Sequence, residues 1–598
     1  MCGIFGFSNK VEDKNNLLKM MGNKMIHRGP DGDGYFIDNN IAMGMVRLSI
    51  IDIQKGNQPF FNRSQDVVVM CNGEIYNYLE LKKELKKEGF EFKTDSDIEI
   101  LPFLYEKYGI EFVKKLNGMF AIALYDKNKN LFYLIRDRLG IKPLYFTIQN
   151  DDLAYASELK SLLLTPGLDK QIDFDALSTY LDLRYIPRPL SPFKGINKLD
   201  SGSYLLWNGE NISIEKYWEN SLSLMANNSE QEIMDEFDIL LNNSIEMELI
   251  SDVPVGSFLS GGIDSSVVTT LASDLCQDKF SVFHMRWNEI PGKIDESMFA
   301  EKVIQNKNVT KYFRDVNNID VVNLLPKLIY HLDEPFADAA FFPTYYLANL
   351  ASEKVKVILS GAGGDELFGG YPHHTNYSKI KSMINGMLGR KALAYSYFDI
   401  WRSEHQNKWK QMFPWYKKSI FKNQFEYKWK NNKDHDSINS IMLNDIEYYL
   451  QDNILFLTDK MTMAASIECR VPLLDHRIVE LSHRIPSSYK IKGNDRKHIF
   501  KKWALQYLPR DVLYRQKEGF GFPIELWINK YKDLYFDLLL ENGSLISNQL
   551  IDKKQLYKLT SKMTLTPDEC WFYWQILVLE IWLEVFIDDI PYNNLYDF

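Results

Sequence analysis

At 598 residues the chain is too long for one ordinary core, so two large domains are expected. Its 25% charged and 45% apolar residues are typical of a soluble globular protein, and a net charge of −10 argues against general nucleic-acid binding, which needs a basic face. Five cysteines (Cys2, Cys71, Cys276, Cys469 and Cys570) form no CxxC pair and no metal-ligand spacing, which points to a reducing cytoplasm, and no signal peptide is evident.

The chain opens with the strand-like Met1 to Phe7, which carries a cysteine at its tip. If the initiator Met is removed, Cys2 holds a thiol and a free α-amino group. That amine, with a pKa near 8, is partly neutral at pH 7 and can take the thiol proton. Val67 to Met70 reads as a strand leading into Asn72-Gly73-Glu74, and Phe120–Tyr125 pairs with Leu131–Ile135 across a polar turn. A helix over Tyr78–Glu88 is expected, capped by Asn77 and ended by Gly89.

The motifs HRGPD (27–31), RLSIID (47–52), CNGEIYN (71–77) and TDSDIE (94–99) resemble those of the N-terminal-nucleophile glutaminase domain. The resemblance implies an αββα sandwich with Cys2 as nucleophile and Asn72 and the Gly73 N–H as oxyanion donors. It also implies glutamine binding by Arg47, Leu48, Ile50, Ile51, Asn72, Gly73, Glu74 and Asp97. Arg47 has the fork geometry that suits the substrate α-carboxylate, while Glu74 and Asp97 suit its α-ammonium. Arg136-Asp137-Arg138-Leu139-Gly140 is read as a structural turn near the domain interface. This domain is placed at 1–205, with a linker over 206–229.

From 230 to 598 strands alternate with helices, the signature of a doubly wound parallel α/β sheet with extra C-terminal helices. The apolar run Val253 to Leu259 enters Ser260-Gly261-Gly262-Ile263-Asp264-Ser265-Ser266 and then a helix, a junction that presents backbone N–H groups and a helix dipole to an anion. A second such loop, Ser360-Gly361-Ala362-Gly363-Gly364-Asp365, follows the strand Val355–Leu359. Two loops of this kind belong at one edge of a sheet, where Asp264 and Asp365 can share a Mg²⁺ that bridges phosphate oxygens. The Walker pattern is absent, which excludes an ordinary P-loop ATPase.

SGGIDSS resembles the pyrophosphate-binding motif of ATP pyrophosphatases, and the chain resembles glutamine-hydrolysing asparagine synthetases from end to end. ATP is then expected at Leu259, Ser260, Gly261, Gly262, Asp264, Ser265, Val282, Ser360 and Gly361. By the same resemblance Lys497, in Arg496-Lys497-His498, is the lysine that offsets charge on departing pyrophosphate. The reaction implied makes L-asparagine from L-aspartate and glutamine, with ATP and Mg²⁺, and an internal passage for ammonia. The resemblance is compatible with a homodimer.

Ala362 departs from the family pattern, where Glu or Asp is usual, and leaves the acceptor open. Either aspartate is used with Glu366 or Asp338 taking over, or the acceptor is another carboxylate such as a sugar acid or peptide precursor. The Lys- and aromatic-rich residues 375 to 450 are read as amphipathic helices rather than a nucleic-acid surface. Trp571–Ile587, apolar but short for a membrane span and holding Glu580 and Glu584, is read as a buried or dimer-facing helix.

Overall fold

The computed structural model describes residues 2–8, 11–220, 228–287, 295–316, 321–375, 406–417, 437–515, 519–537 and 543–595. Most of 375–450 read as helical lies outside them. The first domain stacks two antiparallel sheets. One has the order β10-β8-β9-β1-β3-β2, from β1 (Cys2–Phe7), β2 (Gly32–Ile37), β3 (Ala42–Arg47), β8 (Tyr145–Gln149), β9 (Asp152–Ala156) and β10 (Ile196–Lys198). The other has the order β12-β11-β7-β6-β5-β4, from β4 (Phe60–Phe61), β5 (Val67–Ile75), β6 (Gly118–Asp126), β7 (Leu131–Arg136), β11 (Ser203–Trp207) and β12 (Ile212–Lys216).

Period-two alternation explains the layers. Cys2 and Ile4 of β1 meet Val68 and Met70 of β5 between the sheets. Phe5 and Phe7 point outward onto Leu18 and Met21 of the helix Lys14–Asn23, while Val69 and Cys71 pack under the helices Tyr78–Lys87 and Ile100–Tyr108. The result is the αββα sandwich. The β6–β7 hairpin pairs Tyr125 with Phe132, as the sequence implied.

Two local readings need correction. Asn77 makes no cap; its amide donates to the Lys115 carbonyl and its oxygen accepts from Asn117 N, so a tertiary contact takes the groups a cap would use. The stretch 206–229 is not all linker. β12 pairs along its full length with β11, so the first domain's sheet runs through Lys216.

The second domain holds a parallel sheet of order β15-β14-β13-β16-β17, from β13 (Val255–Phe258), β14 (Phe280–Arg286), β15 (Val309–Asp315), β16 (Val357–Leu359) and β17 (Glu468–Arg470). After β13 the chain continues to β14 on one side, and after β16 to β17 on the other. The crevice above β13 and β16 is therefore the topological switch point, where open α/β sheets bind ligands. The helix Glu230–Glu248 starts with a Ser229–Glu232 capping box and buries Met234, Phe237, Leu241 and Ile245.

Beyond its first turn the helix Pro567–Phe586 is almost wholly buried, Glu580 and Glu584 included, with Glu580 accepting from the backbone N–H groups of Ser544 and Leu545. Among the described residues no helix is long and apolar enough to cross a membrane.

Candidate active sites

The tip of β1 brings the first set of residues together. Cys2 is 6% exposed, lies opposite Arg47 in the β1–β3 register, and donates its backbone N–H to Asn72 Oδ1 at 3.1 Å. Burial pushes its thiol up, against the pull of the nearby amino terminus and the Leu48 backbone. Asn72 and Gly73 sit on β5 opposite Ala121 and Phe120. A Cβ at Gly73 would lie 2.0 Å from the Met119 carbonyl oxygen, which explains the glycine.

Arg47 donates to the carbonyls of Ile51, Asp52 and Ile53 and to Asn57 Oδ1, at 2.7 to 3.1 Å. These acceptors are neutral, and no carboxylate pairs with Arg47 among the described residues, so its charge remains available to a substrate carboxylate. Leu48, Ile50 and Ile51 wall this loop and are buried. Glu74 and Asp97 are buried as well. Burial, with Glu468 and Asp97 adding to it, raises Glu74 well above the usual carboxylate range; burial lifts Asp97 to about 6 despite the bond its Oδ2 accepts from Ile75 N at 2.8 Å.

The second set lies at the switch point. Gly262 precedes the helix Ile263–Leu275, and Ser265 Oγ folds back to accept from Ser260 N at 3.1 Å. The two glycine loops touch: a Cβ at Gly361 would fall 2.4 Å from Ser265 N, and one at Gly364 2.2 Å from Asp264 Oδ1. Lys497 Nζ lies 2.6 Å from Asp264 Oδ2 and 2.8 Å from Asp365 Oδ1. Burial would lower this ammonium, but Asp264 and then Asp365 outweigh it and raise it.

Lys497 itself adopts φ 54°, a left-handed conformation uncommon for a non-glycine residue and characteristic of functional sites. Two carboxylates that converge on one ammonium also fit a Mg²⁺ with substrate phosphates. Leu259 and Val282 are buried in the sheet behind this crevice, and Ser360 donates its N–H to the Arg470 carbonyl at 2.9 Å.

Several residues here escaped the sequence reading. His284 bonds the Leu259 carbonyl at 2.6 Å and Ser297 Oγ at 2.9 Å, and Arg515 Nε donates to the Gly261 carbonyl at 2.9 Å. Neither carries a motif that would have marked it. Beside Ala362, the buried Glu366 is pushed up to about 7 by burial and Asp365, and accepts from the Tyr371 hydroxyl. Asp338 is already engaged by Ala340 N and Asn453 Nδ2, each at 2.9 Å.

His373, His374 and Asp445 could in principle hold a metal. Both imidazoles instead share Asp445 Oδ2 at 2.9 and 2.7 Å, closer than the roughly 3.3 Å between two donors on a tetrahedral zinc with bonds of about 2.0 Å. They form a hydrogen-bonded cluster.

The domains meet through buried charge. Arg28, fully buried, donates Nε to the Cys2 carbonyl at 3.1 Å, Nη1 to Glu158 at 3.0 Å and to Asp459 at 2.8 Å, and Nη2 to Asp459 at 3.1 Å. Lys160 and Lys460 both bond Asp333, and Lys142 lies 3.6 Å from Asp459. The turn 136–140 is structural as read: Arg136 and Arg138 donate to backbone carbonyls and Asp137 accepts from backbone N–H groups.

A buried cysteine at the tip of a sheet in one domain, two contacting glycine loops at the switch point of the other and a buried charged interface between them match the plan of a two-domain glutamine amidotransferase. Comparison with known families agrees: residues 236–584 match the model for asparagine synthase and residues 1–218 that for a glutamine amidotransferase domain. The chain is 32% identical to asparagine synthetase [glutamine-hydrolyzing] 1 of Bacillus subtilis (strain 168), over 98% of this chain and 97% of that one. It is 28% identical to asparagine synthetase B [glutamine-hydrolyzing] of Escherichia coli (strain K12), over 89% and 84%. The chain belongs to the glutamine-hydrolysing asparagine synthetase family, carbon–nitrogen ligases that use glutamine as amido donor.

Proposed function

We propose that the chain makes L-asparagine from L-aspartate, ATP and glutamine through a β-aspartyl-AMP intermediate, releasing AMP, pyrophosphate and glutamate. The observation that carries this reading is the bridge of Lys497 between Asp264 and Asp365, above two contacting glycine loops. In the first domain, once Met1 is removed, the Cys2 amine takes the thiol proton and the thiolate attacks the glutamine side-chain carbonyl. Asn72 Nδ2 and Gly73 N–H stabilise the oxyanion, the C–N bond breaks, ammonia leaves and water hydrolyses the thioester.

In the second domain the backbone N–H groups of Gly261, Gly262 and Gly361 bind ATP phosphates, and the acceptor carboxylate attacks the α-phosphorus. The bond to pyrophosphate breaks, and Lys497 offsets the charge that develops there. Ammonia then attacks the acyl carbon and AMP leaves. Asp264 and Asp365 would hold Mg²⁺, which neutralises phosphate charge when bound.

A cavity of about 20 Å³ between the domains, where Tyr76, Leu139 and Val471 lie beside the charged Asp137, Glu248 and Asp475, is large enough for one water-sized molecule. Glu366, four residues after Ala362, is the carboxylate better placed to serve the acceptor, because Tyr371 bonds one of its oxygens whereas both oxygens of Asp338 are engaged.

The second reading, the same chemistry on a different carboxylate, is favoured by Ala362 alone. The site of reaction is a cytoplasm in either case. Aspartate labelled with ¹⁸O in its β-carboxylate tests the adenylate: AMP should gain one ¹⁸O. AMP formed without label in the presence of aspartate would exclude the intermediate.

A further inference from the structure

We infer that Arg470, contributed by the second domain, is a positioning residue of the glutamine site in the first: it faces Glu74, favours the carboxylate form that receives the α-ammonium of glutamine, and ties that acceptor to the ATP-binding loop. This inference rests on the glutaminase reading of the first domain.

Arg470 ends β17, where it lies opposite Leu359 in the register with β16, and its carbonyl accepts the N–H of Ser360, the first residue of the second glycine loop. Its side chain runs the other way, toward the first domain, and is fully buried. Three bonds fix the guanidinium: Nε to Glu468 Oε1 at 2.6 Å, and Nη1 to the carbonyls of Glu248 at 2.6 Å and Ile250 at 2.8 Å. Nη2 is buried without a hydrogen-bond partner and stands 3.6 Å from Glu74 Oε2. A rigid fork whose Nη2 is uncommitted is thus aimed at the carboxylate assigned to the substrate ammonium.

The charges facing Glu74 make that placement consequential. Burial opposes a negative charge there, and Glu468 on β17 and Asp97, on the loop before the helix Ile100–Tyr108, oppose it further. Arg470 favours ionisation from the second domain's side, and the amino terminus favours it more weakly from the first. A buried carboxyl without it would take a proton still more readily, and a neutral carboxyl binds an ammonium poorly. A residue that served only to anchor the interface would need Glu468 and the two carbonyls, and would have no reason to direct an unpaired N–H at Glu74. Because the Arg470 carbonyl holds Ser360, any shift of the ATP loop reaches the guanidinium within one residue. By linkage, ATP and glutamine then alter each other's affinity.

The test uses the full-length enzyme and follows glutamate release without ATP, comparing Arg470→Gln and Arg470→Lys with the wild type. Arg470→Gln should raise KM for glutamine by about 10- to 100-fold, the range expected on loss of a charged interaction, with kcat changed by less than about threefold. The acid limb of kcat/KM should move to higher pH, because Glu74 loses the cation facing Asp97 and Glu468. Arg470→Lys keeps the charge and should recover most of the KM even if Arg470→Gln folds poorly.

Added ATP should shift KM for glutamine in the wild type and not in Arg470→Gln. An unchanged KM with a reduced kcat, or equal KM values in the Lys and Gln variants, would overturn the inference. A wild type that releases no glutamate from glutamine would overturn the glutaminase reading instead.

Discussion

Gly370→Ala should separate the two chemistries. A Cβ at this position would lie 1.8 Å from Asp365 Oδ1 and 2.3 Å from Lys497 Cε. Neither atom can retreat freely, because Asp365 and Lys497 are bonded to each other and Lys497 also holds Asp264. Relieving the clash displaces one of them by about 1 Å or more, and a misplacement of that size costs about 10²-fold in rate, or about 2.7 kcal/mol. Overpacking by one methyl costs about 1 to 3 kcal/mol of stability, so the protein still folds.

The assay is pyrophosphate release with ammonia as nitrogen source, beside glutamate release from glutamine. Pyrophosphate release should fall about 100-fold, while glutaminase activity stays within about twofold. Gly32→Ala, whose new Cβ meets nothing within 4 Å, serves as control. Pyrophosphate release within threefold of the wild type would refute the claim that the alignment of Asp365 and Lys497 sets the rate.

Three further outcomes are expected. Cys2→Ala should abolish glutamate release and leave ammonia-dependent pyrophosphate release intact; loss of both would contradict two separate sites. Asp459→Asn removes a buried, doubly bonded partner of Arg28 and should lower denaturation stability by about 3 kcal/mol, toward the low end for a broken buried pair because Glu158 remains; urea denaturation measures it.

Asp97, lifted from its ordinary 3.8 to about 6, must be ionised to receive the substrate ammonium, so glutaminase kcat/KM should decline below about pH 6. Because the folded carboxyl binds its proton more tightly than the unfolded one, its contribution to stability falls as pH rises from about 4 to 6 and is constant above. A kcat/KM constant from pH 8 to 5 would show that Asp97 is not the ammonium acceptor.

What the sequence disclosed follows from how local each feature is. Both glycine loops were legible because a backbone that approaches a phosphate, or another loop as Gly361 approaches Ser265, requires glycine in a strand-to-helix junction. The proposed nucleophile stood out because a cysteine exposed by removal of Met1 would carry its own base. Lys497 was identified by resemblance alone; its left-handed backbone and its two aspartate partners come from tertiary structure, and in a chain with 70 Lys and Arg residues it resembles any solvated base.

Arg28 and Asp459, 431 positions apart, could not be paired from a single sequence. The burial of Arg470 and its approach to Glu74 depend on how the domains dock and could not be read from the sequence. β12 passed for linker because Ile212-Ser213-Ile214-Glu215-Lys216 is short and largely exposed, as edge strands are.

The most direct test of the account is pyrophosphate release by the purified protein with ATP, Mg²⁺ and glutamine, in the presence and absence of aspartate. Aspartate-dependent pyrophosphate with a matching amount of asparagine is the predicted result. Glutamate release that continues normally while pyrophosphate shows no response to aspartate would contradict it and assign the scaffold to another carboxylate.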